Sequence, residues 1–192
     1  MFITWSNLQD ISPHILTKAV SRLHTIRLID TGLSPIQKET LIHMIANTDD
    51  LKLECLQLSR IYLADIPENT LAKAVCRLHT VDILCADLTP GQVSTLMTTI
   101  ADKDDLRLHS IGLTGNNIAD VAEYTLARSV CRLQSVDLRH TDMTHLQVCT
   151  LITMIADTDN LRLKSVSLRG NDLSEEAIET LAKQYSNCKL WK

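Results

Sequence analysis

The chain is poor in aromatic residues, with one Phe, two Trp and three Tyr among 192 residues. Its core must therefore be aliphatic, and a hydrophobic content of 45 % supplies enough Leu, Ile, Val and Ala for one substantial domain. Glycine is scarce too: five in all leave no material for a glycine-rich phosphate loop. Basic residues are not in excess, since 19 Lys and Arg against 23 Asp and Glu give a formal charge of −4. Nucleic acid is thus not an expected partner, because binding it depends on surplus cations that displace counterions. No apolar run reaches the roughly 18 residues that a membrane-spanning helix needs, so no membrane contact is expected. The start, MFITWSNLQDISPH, has neither the basic opening nor the apolar stretch of a signal peptide. Six cysteines form no Cys-x-x-Cys pair and no Asn-x-Ser/Thr sequon occurs. Reduced thiols in a cytoplasmic protein are the expectation.

What the chain has instead is a repeat. The frame L-x-x-L-x-L-x-x-x-x-L opens at Leu23, Leu53, Leu78, Leu108, Leu133 and Leu163, with alternating spacings of 30 and 25 residues. The true period is the 55-residue pair. Within each frame, alternating residues such as Val81 and Ile83 turn one side of a short strand inward. A helix is expected after it. In the first type of unit it opens on a capping box: Ser34 with Gln37, Thr89 with Gln92, Thr144 with Gln147. Leu41/Ile45, Leu96/Ile100 and Leu151/Ile155 then fall four apart on one face. In the second type, Asp10, Asp65 and Asp120 are the expected caps. A single strand and helix cannot bury their own apolar faces, so the units must stack.

This pattern resembles the leucine-rich repeat family, and its long strand–helix form is similar to the ribonuclease-inhibitor class. The resemblance covers almost the whole chain. It implies an α/β solenoid, a curved horseshoe with a parallel β-sheet on the concave face and helices on the convex face. The family usually places Asn or Cys two positions before the last Leu, to satisfy turn amides. Asn116 and Asn171 fit; Thr31, Ile61, Ala86 and Thr141 stand at the other places. The turns at Ile61 and Ala86 are expected to be looser, held by water or local backbone. The frame is already under way at Met1 and restarts at Cys188, so residues 1–192 are expected to form one domain and a segment of a longer array.

Some positions are copied less faithfully than the frame. Ile29-Asp30, Leu84-Cys85 and Arg139-His140 are equivalent and share nothing. If the resemblance holds, these letters and the mid-strand positions line the concave face. One column reads Arg27, Gln57, Asp82, Gly112, Asp137 and Ser167; the next reads Ile29, Ser59, Leu84, Thr114, Arg139 and Arg169. A third reads Trp5, Asp30, Arg60, Cys85, Gly115, His140 and Gly170. Drift of exposed positions is the simplest explanation, because substitutions there cost little. Yet residues 92–108 and 147–163 agree at 12 of 17 places, and expected surface residues such as Arg22/Arg77/Arg132 persist. A constant scaffold around a varied face points to recognition of another protein. Trp5, Ile29, Tyr62 and Leu84 would give an apolar half, with Asp137, Arg139, His140 and Arg169 a charged half. In this class similar arrays form the sensing end of cytosolic nucleotide-binding immune receptors, so the resemblance also implies a role in innate immunity. The rival expectation is a self-assembling segment that pairs as a homodimer through open ends near Trp5 and Trp191.

Catalysis is not expected. His24, His79 and His109 share one place at the strand entrance, where a turn-capping role outweighs metal binding. Cys76 and Cys131 share a packing position. Cys85 and His140 share a column but stand two units apart, about 10 Å at ordinary strand spacing, too far for a nucleophile–base pair. Asp82, Asp137 and Asp142 read as a solvated polar face. No catalytic residue, metal ligand or cofactor is expected.

Overall fold

The computed structural model describes residues 2–4, 8–171 and 189–191. Their elements run β1 (Phe2–Thr4), α1 (Pro13–Val20), β2 (Thr25–Ile29), α2 (Pro35–Asn47), β3 (Cys55–Ser59), α3 (Glu68–Val75) and β4 (Thr80–Leu84). There follow α4 (Pro90–Asp102), β5 (Ser110–Gly112), α5 (Glu123–Cys131), β6 (Ser135–Asp137), α6 (His145–Asp157), β7 (Ser165–Ser167) and β8 (Lys189–Trp191). This is an α/β protein in which strands and helices alternate. All eight strands are parallel, and their order across the sheet is their order along the chain. Each helix likewise packs on the next, from α1 to α6. No described helix is long and apolar enough to cross a membrane.

The register follows the repeat. Ile26, Leu56, Val81, Ile111, Val136 and Val166 are matched strand to strand. They and the residues two further on, such as Leu28, Leu58 and Ile83, are buried against Leu41, Ile45, Leu71, Leu96, Ile100, Leu126 and Leu151 of the helices. Alternation along a strand places every other side chain on the opposite side of the sheet. A slip of one residue would expose the whole apolar set, so the hydrophobic frame fixes the register.

The expected capping boxes form. Ser34, Thr89 and Thr144 accept from the backbone amides of Gln37, Gln92 and Gln147, whose side chains accept from the cap amides in return. The caps expected at Asp10, Asp65 and Asp120 do not. α1, α3 and α5 begin after Ser12, Pro67 and Ala122, none of which makes a side-chain cap bond. The loops into these helices are held by the glutamines of the following units instead. The Nε2 of Gln37 donates to the carbonyls of Leu8 and Ile11, that of Gln92 to Leu63 and Ile66, and that of Gln147 to Ile118 and Val121. Asp65 is free of a capping duty and takes the Lys38 ammonium at 3.0 Å.

A second expectation is corrected at Ala86. Its turn is not loose, because Asn116 of the next unit holds it. Asn116 Oδ1 accepts from the Ala86 and Leu88 amides at 3.2 and 3.3 Å, while Nδ2 donates to the Ile83 and Leu113 carbonyls. Asn171 serves Thr141 and Met143 in the same way. Ile61 occupies the equivalent place after Thr31 and offers nothing. The Thr31 hydroxyl is buried with no hydrogen-bond partner, whereas the Thr141 hydroxyl donates to the Leu138 carbonyl.

Candidate functional site

Side chains at the strand positions between the buried ones face away from the helices. Arg27, Gln57, Asp82, Gly112, Asp137 and Ser167 form one register-matched row. Arg27 is exposed; Gln57, Asp82 and Asp137 are half-buried. Ile29, Ser59 and Leu84 are matched in the next row, and all three are half-buried. Arg139 and Arg169 stand two residues beyond β6 and β7 and are exposed. Tyr62 departs from these rows. It lies three residues past β3, its ring 5.4 Å from the Lys38 ammonium that also donates to its carbonyl. It belongs to the loop leading to α3. Trp5 lies outside the described residues.

Arg60 and His140 are not strand residues either. Asp30, Arg60, Cys85, Gly115, His140 and Gly170 all have positive φ, between 49° and 77°. The third variable row is thus a row of left-handed turns, each ending a strand segment and aiming the chain toward the next helix. Glycine adopts this conformation without steric penalty and other residues do not. Gly115 and Gly170 have a further reason to be small. A Cβ on Gly115 would stand 2.7 Å from Cys85 Sγ, and one on Gly170 would stand 2.1 Å from His140 Nδ1. From Cys85 onward large and small residues therefore alternate, Cys85 lying over Gly115 and His140 over Gly170. Gly112 repeats the device in the mid-strand row, where a Cβ would meet Asp82 Oδ1 at 2.4 Å.

Charge gathers around Asp137. The Arg139 guanidinium binds its carboxylate through two nitrogens: Nε to Oδ1 at 2.8 Å and Nη2 to Oδ2 at 2.6 Å. Burial pushes the Asp137 carboxyl up, but the Arg139 hydrogen bonds and charge outweigh it and hold the group below its ordinary range. Asp82 behaves oppositely. Burial and then the Asp137 charge raise it, against a smaller pull from Arg27 and Arg139. Between β6 and β7 this face sinks into an open depression of about 370 Å³, lined by Ser135, Val136, Asp137, Arg139, Ser165, Ser167 and Arg169. The structure thus brings together three predicted residues, Asp137, Arg139 and Arg169, with Ser167 of the mid-strand column and with two serines, Ser135 and Ser165, that sequence reasoning passed over. A signal existed: the strand-entry row reads Thr25, Cys55, Thr80, Ser110, Ser135 and Ser165, all hydroxyl or thiol. Ser165 donates to Ser135 at 2.8 Å. The Ser167 hydroxyl is buried and has no hydrogen-bond partner.

The remaining candidates are placed as follows. Cys85 and His140 are separated by the unit that carries Gly115. His79 and His109 meet edge to face at 5.5 Å, and it is their backbone carbonyls that hold the next strand: His79 O accepts from the amides of His109 and Ser110. Among the described residues no group of three or more His, Cys, Asp or Glu is placed to hold a metal. Cys76 is buried and Cys131 half-buried, and burial pushes both thiols up to about 11. One Cys–His contact was not foreseen: Cys149 Sγ lies 3.3 Å from His145 Nε2, one turn earlier on α6. No protein-family model matches the chain, and no curated protein matches it either.

Proposed function

We propose that this chain is a leucine-rich repeat solenoid of the ribonuclease-inhibitor-like class, and that its concave strand face binds a protein partner. It does so as a pre-formed template, so little ordering cost falls on binding. Catalysis and cofactors have no part in this reading. The observation that carries it is the segregation of variation. The constant frame lies on the core side of strands β2 to β7, while Arg27, Gln57, Asp82, Asp137, Ile29 and Leu84 form contiguous rows on the other. Part of the constancy elsewhere has a plain structural cause. Arg77 donates to the carbonyls of Ala46 and Thr48 at the end of α2, and Arg132 to those of Ala101 and Lys103 at the end of α4. No such duty ties Ile29 to Leu84 or to Arg139. A cytoplasmic sensing surface, as in the immune receptors whose repeats these resemble, is the role in which such a face would serve.

The test is site-directed photo-crosslinking in a matching lysate. A photoreactive residue at Ile29 or Leu84 should capture one defined protein, and the same residue at exposed Lys73 of α3 should not. The capture should vanish when Arg27 and Arg139 are both changed to Ser in a protein of unchanged circular dichroism. Equal capture from α3 and from the strand face would refute the reading. Self-association is the rival, supported by the edge positions of β1 and β8 in the sheet. Sedimentation across a hundredfold concentration range separates the two, because a dimer unaffected by the Ser changes would favour pairing through the edges.

A further inference from the structure

We propose that the depression between β6 and β7 is a carboxylate-binding subsite, which takes an Asp or Glu side chain of a protein docked on the strand face. The inference rests on the strand-face reading above and narrows its partner to one bearing an acidic anchor.

Three observations converge. The first is charge. Of the ionised groups lining the depression, Asp137 and Arg139 neutralise each other through the paired bonds at 2.8 and 2.6 Å. Arg169 is exposed and has no ion-pair partner among the described residues, so the depression keeps one uncommitted cation. The second is hydrogen bonding. Ser135 receives the Ser165 proton and so has its own proton to give. Ser167 is half-buried, and its hydroxyl oxygen is buried and unpaired, a state that folded proteins seldom leave without a partner. The third is that the only carboxylate on the lining among the described residues is already engaged, so a cationic ligand would find no free counter-charge there. A cationic fork beside hydroxyl donors suits an oxyanion. A single free guanidinium favours a planar monoanionic carboxylate over a phosphate, which is commonly held by a cluster of arginines. Asp82 lies two units earlier in the row, beyond Gly112, and its negative charge faces the same side, which again favours the smaller charge.

The test uses the whole chain, labelled with nitrogen-15, and three small probes at constant ionic strength: N-acetyl-glutamate N-methylamide, N-acetyl-lysine N-methylamide and inorganic phosphate. The glutamate probe should shift the backbone amides of Ser165, Ser167 and Arg169 saturably. Arg169→Gln should weaken that binding about tenfold, equivalent to about 1.4 kcal/mol, while Arg107→Gln, at an exposed arginine elsewhere, should leave it unchanged. Ser167→Ala should weaken it severalfold and serves as the second variant should Arg169→Gln disturb the fold, which the remaining amide spectrum reports. Equal shifts with the lysine probe, tighter binding of phosphate, or indifference to both variants would each overturn the proposal. The two readings fail separately. Strand-face crosslinking without a glutamate response removes the subsite alone, and a glutamate response without a captured partner leaves a carboxylate site but removes the docked protein.

Discussion

Gln92 offers the sharpest test of how neighbouring units are joined. Its side chain is 1 % exposed and works in two directions. Oε1 accepts from the Thr89 amide at 2.9 Å, and Nε2 donates to the Leu63 and Ile66 carbonyls at 2.8 and 2.6 Å. Gln92→Glu keeps volume, shape and the capping acceptor, but replaces the double donor with an oxygen facing two oxygens. Losing two net hydrogen bonds costs about 1–3 kcal/mol. An unpaired buried charge raises the total to about 3–5 kcal/mol at neutral pH. Protonation relieves much of this, because a carboxylic acid can donate to one of the carbonyls. Burial and the carbonyl dipoles raise the folded-state pKa of the introduced carboxyl above its unfolded value of about 4.3. The sign follows: the variant's deficit is smallest near and below that unfolded value, and it grows as pH rises through the folded pKa. Urea unfolding of both proteins, followed by circular dichroism at pH 4.5 and pH 7.5, measures the gap at each pH. A gap that is the same at both pH values, or below about 1 kcal/mol at pH 7.5, would refute the donor role assigned to Gln92.

Thr31 and Thr141 occupy equivalent turns, yet Thr→Val should act with opposite sign at the two. Thr31→Val removes an unpaired buried hydroxyl and should stabilise by about 1 kcal/mol, while Thr141→Val breaks the bond to Leu138 and should destabilise by a similar amount, both read from urea midpoints. Gly115→Ala meets two obstacles, the left-handed φ of 73° and Cys85 Sγ at 2.7 Å, and should cost about 1–3 kcal/mol. Adding Cys85→Gly should recover the steric share and leave the backbone share, which a double-mutant cycle separates; full additivity would show that the two residues do not touch. Because burial raises the Cys76 and Cys131 thiols from 9.0 to about 11, their contribution is intact below pH 9 and is lost as pH climbs toward 11. The melting temperature should fall across that window, and less so in a Cys76→Ala, Cys131→Ser protein. Alkylation at pH 8 should reach exposed Cys85 well before Cys76.

The sequence by itself determined the alternation of strand and helix, the strand register and the capping boxes at Ser34, Thr89 and Thr144, because each depends on neighbours in the chain or on strict periodicity. It also marked Asp137, Arg139 and Arg169 as residues of one face. Tertiary structure decided everything that passes between units. Periodicity shows that Gln37, Gln92 and Gln147 are equivalent, but not that their amides reach back to the loop before the preceding helix. It shows Asn116 beside its own turn, while the structure hands that side chain to Ala86, some thirty residues earlier. The third variable row is set by periodicity beside the strand columns of the concave face, but periodicity does not show that the chain turns there. Its positive φ angles belong to a turn that must start the chain toward the next helix, and only the stacked backbone reveals it. The depression beside Arg169 is likewise a product of stacking, since its serines come from strands thirty residues apart; the repeat aligns Ser135 with Ser165, but only the stacked strands set them beside Asp137 and Arg169. Local propensity and pattern set each element; the hydrogen bonds and close approaches that fix one unit on the next come from side chains whose partners are distant in sequence, and these only the assembled fold could choose.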